Sequence, residues 1–405
     1  MIDGSINKVG WFVALMIVSN STTVLPFSWG IGYYIILALT LLFILYGVRT
    51  RVEISMLLLF AVCAFSIIGN NIPAYFSSWP RLGTFVMLAS IFSYFLRSKK
   101  AVAFRARLFI SISKLLVLVT FVCTIFLALG LGYGYKNSSY FQGITVHSMI
   151  MGPVAAMTIL YCAYQLQYRH KRRLKLLYFL LIIGSGLCLL QAGSRAALIG
   201  ALVSVIAFMY YLNKKNFFTL VKKYIWVILI IAASSPFWLT YTDKIEKKNG
   251  GLTELSTDSR AVHWAQRVIE WKSSPIIGIG FGTVDIDVKK GSAFSEQTGA
   301  VETGSSWLCV LSMTGVLGFI CVLIIVINAY RKALALMNVS RPTGSYLIAI
   351  LIFFIFHMMA EGYIFAGGNF LNTQFWLLIG VIYGISSYPE FAHVLEKRLQ
   401  LRGPR

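Results

Sequence analysis

The stretch YTDKIEKKNGGLTELSTDSRAVHWAQRVIEWKSSPIIGIGFGTVDIDVKKGSAFSEQTGAVETGSS, residues 241–306, is the only long polar segment between the apolar runs of this sequence. It holds nine of the chain's 14 carboxylates and eight basic residues, so it is close to neutral. The net charge of the segment therefore does not indicate its function. We expect particular residues within it to matter, because the chain on both sides is strongly apolar.

The composition indicates an integral membrane protein. Of the 405 residues, 58% are hydrophobic and 12% are charged, and the mean hydropathy is +0.76. Soluble domains carry about 25% charged residues. The net charge of +22 could suggest nucleic-acid binding, but the basic residues form short clusters between apolar runs, as topology determinants do. We therefore predict no nucleic-acid partner.

Apolar segments of about 20 residues are long enough to span a bilayer as helices. Twelve segments qualify, which predicts an all-α, polytopic membrane helix bundle: 9–25, 30–48, 53–71, 82–97, 108–131, 145–168, 174–191, 195–212, 222–241, 306–330, 345–365 and 369–387.

Four regions follow from this pattern. Spans one to nine occupy 1–241, a large loop containing short helices occupies 242–305, spans ten to twelve occupy 306–387, and a basic tail occupies 388–405.

The distribution of lysine and arginine predicts the orientation. Twenty-five of the 36 fall in the tails and loops on one side, whereas the short loops on the other side hold only Arg81, Lys136 and Arg195. Because short cytoplasmic loops are enriched in basic residues, both termini are predicted to be cytoplasmic and the large loop to face outward. The six cysteines all lie inside apolar runs without metal-ligand spacing, and we predict neither a metal nor a cofactor.

Arg195 lies between two apolar runs with almost no loop around it. An arginine at a membrane boundary costs a few kcal/mol unless it snorkels or is paired. It is therefore either a snorkelling interface residue or an anion ligand at the start of the following helix, where free backbone N–H groups would add to its attraction for a phosphate.

Residues 258–272 are predicted to form a helix across the mouth of the bundle. One face carries Arg260, His263, Arg267 and Glu270, and the other carries alanines, valine and tryptophans. Either the polar face is solvated over a membrane-docked apolar face, or Arg260, together with Arg267, points into a cavity toward the anion of Arg195. Two arginines can grip a diphosphate bidentately.

The glycine-rich segment 275–282 lacks the lysine and the strand–helix context of a phosphate-binding loop, so it is interpreted as a tight turn that closes the loop against the bundle. Asp285 and Asp287 could bind a divalent ion, but without further ligands a solvated loop is the better interpretation.

Three further ionisable residues are site candidates. Glu302, before the tenth span, is either a helix-start charge or a site residue. His357 and Glu361 are spaced i, i+4 in the eleventh predicted span, which allows a structural pair or a role in proton transfer. Two ligands without a third do not indicate a metal site. Ala366-Gly367-Gly368 is predicted to be a tight turn or re-entrant bend before the last span.

Three short motifs in order resemble the O-antigen ligase and polymerase superfamily of membrane glycosyltransferases. They are Gly193-Ser-Arg195-Ala-Ala-Leu-Ile-Gly200; Asp258-Ser-Arg260 leading through Trp264 and Trp271 to Ser274-Pro-Ile-Ile-Gly-Ile-Gly280; and Gly315-Val-Leu-Gly318-Phe. The resemblance covers about residues 185–325, and the placement of the motifs around one large outer loop is its most specific aspect.

The resemblance implies a bacterial enzyme of the cytoplasmic (inner) membrane with its site facing outward. The donor would be an oligosaccharide on a polyprenyl diphosphate, and an acceptor hydroxyl would attack the anomeric carbon without a metal. Arg195 and Arg260, with Arg267, would bind the diphosphate. Glu302, or else His357 or Glu361, would be the base. A chain-length regulator and a flippase would be further partners.

Ligases of this superfamily typically carry a His-Asn pair before the span that follows the loop, and here that region is Glu302-Thr-Gly-Ser-Ser-Trp. This departure favours a polymerase that joins repeat units over a ligase. A flippase or transporter would place charged residues in several spans, which Glu361 alone does not satisfy. A scaffold without chemistry would make Arg195 and Arg260 dispensable.

Overall fold

A computed structural model describes residues 4–24, 29–70, 77–133, 140–168, 171–213, 259–285, 304–392 and 395. Within these ranges, twelve α-helices account for most of the chain: α1 (Gly4–Asn20), α2 (Gly30–Leu45), α3 (Ile54–Ile68), α4 (Ser78–Phe92), α5 (Lys99–Ala128), α6 (Ser148–Leu166), α7 (Arg172–Gln191), α8 (Arg195–Leu212), α9 (Ser259–Ser273), α10 (Ser306–Leu336), α11 (Arg341–His357) and α12 (Phe370–Ser387). A two-stranded antiparallel ladder joins β1 (Arg51–Val52) to β2 (Leu96–Arg97), and a 3-10 helix covers Pro389–Phe391.

The all-helical prediction is confirmed for the described residues. Eleven predicted spans overlap helices, and the ninth, 222–241, lies outside the described residues. Among the described helices, six are long and apolar enough to cross a membrane, namely α5, α6, α7, α8, α10 and α12, while α2, α3 and α11 are apolar but shorter. The protein is therefore a multi-pass membrane protein, and the count of twelve spans and the large outer loop remain predictions.

Helix α12 lies in the core of the bundle. Every residue from Phe370 to Ile385 is buried. Tyr383 stacks on Tyr94 with ring centroids 3.7 Å apart. A Cβ at Gly380 would approach the carbonyl oxygen of Phe92 to 2.0 Å, so only glycine allows α12 to pack this closely against the end of α4.

Helices α8 and α11 run antiparallel along each other. Arg341, the first residue of α11, donates from Nε to the carbonyl of Tyr211 near the end of α8 at 3.0 Å. Gly200, near the start of α8, lies against Phe353 near the end of α11. The Arg195 end of α8 and the His357 end of α11 are therefore at the same end of the bundle.

Arg105 precedes the predicted span 108–131 and was one of the 25 basic residues assigned to tails and loops on the cytoplasmic side, but it is not a loop residue. Helix α5 begins at Lys99, nine residues before the predicted span, and therefore includes Arg105. The Arg105 side chain is fully buried. Its guanidinium donates to the carbonyl oxygens of Ile91, Leu96 and Ser90 at 2.8–2.9 Å. These carbonyls lie at or beyond the end of α4, where helical partners are missing, so Arg105 completes the end of α4.

The segment 358–369 between α11 and α12 corrects the sequence prediction. Helix α11 ends at His357, and Glu361 lies in the non-helical connection, so the two do not share a helix face. The predicted turn is present, with Gly368 at φ +86° and the Asn369 N–H donating to Ala366 at 3.0 Å. Irregular backbone at membrane depth is tolerated where protein buries it, and Tyr363 and Ile364 are buried here.

Candidate functional site

Arg195 is the first residue of α8, as predicted. The Ser194 side chain accepts a hydrogen bond from the Ala197 N–H at 3.4 Å and caps the helix. Gly193 precedes it at φ +65°, and a Cβ there would lie 2.2 Å from the Tyr140 ring. The tight turn therefore requires glycine, and it leaves the Arg195 side chain exposed at a helix N-terminus.

Helix α9 carries its polar face inward. The exposed fractions of His263, Gln266, Arg267 and Glu270 are 5%, 7%, 0% and 0%, whereas Ile269 on the opposite face is 54% exposed. The alternative in which the polar face is solvated is therefore wrong for these residues. Arg260 is the second residue of α9, and the position of its side chain lies outside the described part of the structure.

Arg267 and Glu270 form a buried ion pair that is tied to α10. Arg267 Nη1 donates to Glu270 Oε2 at 2.8 Å and to the Ser312 hydroxyl at 2.9 Å. Glu270 Oε1 accepts from the Asp285 N–H at 3.2 Å. The pair was not predicted from the sequence, although its i, i+3 spacing is one at which helical side chains meet.

The other edge of the Arg267 guanidinium makes no hydrogen bond within the described residues. Its Nε and Nη2 atoms are buried and have no hydrogen-bond partner in the described structure, and neither has Oε1 of the adjacent Gln266. A buried donor without a partner costs about 1–3 kcal/mol, and more when it is charged. Two parallel N–H groups on one guanidinium edge match the oxygens of a phosphate or carboxylate, so this edge can bind an oxyanion bidentately.

The glycine-rich turn after α9 fits into a break in α10. Gly315 has a non-helical conformation, φ +63° and ψ −165°, which frees backbone groups of α10. The N–H groups of Ile279 and Gly280 donate to the carbonyls of Ser312 and Met313 at 2.8 and 3.2 Å. Val316 donates to Pro275 at 2.9 Å. The interpretation of this segment as a tight turn packed against the bundle is confirmed, whereas the large loop remains a prediction.

The end of α3 contacts both the glycine-rich turn and α10 near the break at Gly315. The Ser66 hydroxyl donates to the Met313 carbonyl at 2.6 Å, and the Asn70 side-chain amide donates to the carbonyl of Gly278. A Cβ at Gly278 would approach the Met313 and Thr314 backbone to 2.4 Å. The turn and α10 are therefore packed backbone against backbone, and side chains at the end of α3 bond to both.

The first turn of α10 holds the 358–369 connection. Ser305 caps the helix by accepting from the Leu308 N–H at 3.5 Å. Ser306 donates from its backbone and its hydroxyl to the carbonyl of Glu361 at 3.0 and 2.7 Å. His357 is fully buried, with Nδ1 at 3.1 Å from the Tyr363 hydroxyl. Ser306 and Tyr363 were not identified from the sequence.

The structure brings several candidates together around the start of α10. Arg267 contacts Ser312, the Trp264 indole donates to the Gly304 carbonyl at 3.0 Å, and the Glu361 backbone contacts Ser306. Arg195 lies at the same end of the bundle through the pairing of α8 with α11. Glu302 lies outside the described residues, as does Asp287. In the described ranges no three His, Cys, Asp or Glu residues are placed to hold a metal, and metal independence stays a prediction.

Apolar helices around an inward-facing guanidinium and carboxylate define a multi-pass membrane protein with a polar site at one end of its bundle. A family model described as O-antigen ligase matches residues 177–323, from the first turns of α7 to the middle of α10. This match supports membership of the chain in the O-antigen ligase and polymerase superfamily, as the motifs predicted. A comparison with curated proteins found no match. The matched family is one of glycosyl-transferring ligases and polymerases in general.

Proposed function

We propose that the protein polymerises polyprenyl-diphosphate-linked oligosaccharide repeat units into a surface polysaccharide at the outer face of the bacterial cytoplasmic membrane. The observation that carries this proposal is the buried Arg267 guanidinium. One edge is held by Glu270 and Ser312, and the Nε and Nη2 atoms of the other edge have no hydrogen-bond partner among the described residues, which supports a role in binding an oxyanion. It lies inside the region that matches the family.

In the proposed reaction, a hydroxyl of the acceptor glycan attacks the anomeric carbon of the donor. The new glycosidic C–O bond forms while the bond from that carbon to the diphosphate oxygen breaks, and polyprenyl diphosphate leaves with the electron pair. Arg195, Arg260 and Arg267 are the proposed diphosphate ligands. They stabilise the negative charge that develops on the leaving group, and donors already in place for that charge lower the barrier.

The proton of the attacking hydroxyl needs an acceptor within hydrogen-bond reach. We propose Glu302 for this role, with His357 and Glu361 as alternatives. His357 is fully buried and bonded to Tyr363, whereas the Glu361 residue is only partly buried. Between these two, the burial therefore favours Glu361 for contact with a substrate, and His357 for a role in holding the 358–369 connection.

The absence of a His-Asn pair before α10 favours a polymerase. The sequence there is Glu302-Thr-Gly304-Ser305-Ser306. Gly304 has φ +68°, and a Cβ added there would lie 2.8 Å from the His263 side chain. Gly304 and the capping Ser305 thus have structural roles next to α9, and neither offers a ligase-type imidazole.

A ligase that transfers the completed glycan to an acceptor is the second candidate, because the matching family model is itself described as O-antigen ligase. A flippase is less consistent with the described helices. Their fully buried charged residues are Arg105, Arg267 and Glu270. Arg105 bonds backbone carbonyls and the other two bond each other, which does not form a polar path through the bilayer.

The deciding experiment is the size distribution of glycans in cells that lack this protein. Single repeat units on the lipid carrier or on the final acceptor, without longer chains, support the polymerase. Full-length chains that accumulate on the lipid carrier and are not transferred support the ligase. Repeat units confined to the cytoplasmic leaflet indicate a flippase. Restoring the normal profile with the wild-type chain is the control.

A further inference from the structure

Helix α9 has the reverse of the amphipathic arrangement expected for a helix in an aqueous loop. Its polar face is buried against α10, as described above. On the outward side, Val262 and Ile269 are spaced i, i+7 and are 41% and 54% exposed. The exposed residues on this side between Ala261 and Ile269 are all uncharged, and Lys272 follows in the last turn. Large apolar patches on a protein surface mark contacts with other molecules or with membranes.

This face is continuous with an apolar stripe on α10. Ile276, just after α9, is 63% exposed, and its carbonyl accepts from the Leu317 N–H at 3.3 Å. Leu317 and Ile320 on α10 are themselves 41% and 45% exposed. Because α10 is long and apolar enough to cross a membrane, we expect its exposed apolar stripe to face lipid. The outward face of α9 extends that stripe.

The position of α9 along α10 also places it at the edge of the bilayer. Arg331 and Lys332 mark the predicted cytoplasmic end of the spanning part of α10. About 20 helical residues cross the hydrocarbon core, so the outer edge of the core lies near residue 311, counting back from Arg331. Helix α9 touches α10 at Ser312, through Arg267. Tryptophan prefers this interfacial zone, and α9 carries Trp264 and Trp271.

We propose that α9 is an interfacial helix whose outward side, with Val262 and Ile269, lies against acyl chains of the outer leaflet, while its polar face is buried inside the protein. The partner of this surface is the bilayer itself. The placement stands independently of the proposed function. Combined with it, the placement sets the oxyanion-binding edge of Arg267 at the depth of lipid head groups, where the diphosphate of a polyprenyl-linked donor also lies.

Fluorescence quenching in reconstituted vesicles tests this placement. An environment-sensitive fluorophore is attached to Cys in three variants of the full chain, Ile269→Cys, Ile320→Cys and Arg51→Cys. Ile320 provides the lipid-facing reference and Arg51, exposed in β1, the aqueous reference. Labelled wild type measures background from native cysteines, five of which are buried. The quenchers are lipids with a nitroxide high on the acyl chain and, separately, aqueous iodide.

We expect the Ile269→Cys label to be quenched by the nitroxide lipid as strongly as the Ile320→Cys label and to be protected from iodide. Strong quenching by iodide would place the face in water and overturn the proposal. Quenching by neither agent would show that a protein surface, either another segment of this chain or a second copy, covers it, and would also overturn it. Because no glycan substrate is used, failure here is distinct from failure of the proposed function.

Discussion

At the scale of single residues, Arg195 offers the cleanest test of the proposed diphosphate site, because the residue is exposed at the start of α8. We expect Arg195→Ala to lower polymerisation about a hundred- to a thousand-fold, the cost of removing one group that stabilises developing charge, while the protein inserts and purifies normally. Arg195→Lys should rescue poorly because lysine lacks the bidentate fork. Glycan chain length in complemented deletion cells measures the effect.

Arg172 provides the matched control. It is the exposed first residue of α7, as Arg195 is of α8, but it lies at the opposite end of the bundle. Arg172→Ala should leave chain length unchanged. Normal chains from Arg195→Lys would argue strongly against direct contact between Arg195 and the diphosphate.

The Arg267–Glu270 pair needs a test that separates stability from chemistry. Removing one partner of a buried ion pair costs about 3–5 kcal/mol because the other charge is left unpaired, whereas replacing both by apolar residues of similar volume is often neutral. We therefore expect Arg267→Met alone to reduce folded protein, and the double variant Arg267→Met/Glu270→Leu to restore it. The yield of monodisperse protein in detergent measures folding.

The double variant then reports on function. If the free edge of Arg267 binds the donor, the folded double variant makes no long glycan chains. Wild-type chain length from this variant would show that the pair serves only to attach α9 to α10.

The sequence predicted some residues of the candidate site better than others. The position of Arg195 followed from its place between two apolar runs, and the inward direction of Arg267 was one of two alternatives. Glu361 was misplaced because hydropathy does not detect where α11 ends. Burial of apolar side chains continues through Tyr363 and Ile364 although the helix has stopped. Ser306 has no distinctive sequence signal, because its role depends on carbonyls 55 residues away.

At the scale of elements, the break in α10 is the feature most sensitive to substitution. Gly315 has a backbone conformation that is essentially restricted to glycine, and non-glycine residues in such regions cost about 1–3 kcal/mol. A Cβ there would also lie 2.2 Å from the carbonyl oxygen of Ile276. We expect Gly315→Ala to separate the glycine-rich turn, residues 275–282, from α10 and to lower the midpoint of thermal unfolding measured in detergent.

A glycine in an ordinary helical position is the control for this prediction. Gly186 in α7 has nothing within 4 Å of its Cβ position. Because alanine is favoured over glycine in helices by about 1 kcal/mol, Gly186→Ala should leave the midpoint unchanged or raise it. Equal midpoints for both variants would contradict the importance of the break.

Helix existence was largely predictable, and helix ends were not. Apolar runs identified the spans, but α5 begins early because Arg105 finds three carbonyl partners inside the protein. The inward rotation of α9 was left open because an amphipathic pattern alone does not say which face meets the protein. Here Ser312 and the Asp285 N–H supply partners for the polar side.

At the scale of the whole molecule, the charge distribution predicts that both termini are cytoplasmic. Single cysteines at Arg51, in β1, and at Val146, between α5 and α6, should then lie on opposite sides. We expect a membrane-impermeant maleimide to label Val146→Cys in intact cells and Arg51→Cys only after permeabilisation. The reverse pattern would invert the topology and move the site to the cytoplasm.

The contact between α3 and α10 also constrains how the chain folds during synthesis. The Ser66 hydroxyl and its Met313 acceptor are 247 residues apart in the sequence. At synthesis rates of about 5–20 residues per second, α3 waits roughly 10–50 s in the membrane before its partner is translated. The family-matching region, 177–323, likewise excludes Ser66 and Asn70. Expressed alone, that region would lack the side chains that bond to Met313 and Gly278, so we expect it to need the preceding part of this chain in order to fold.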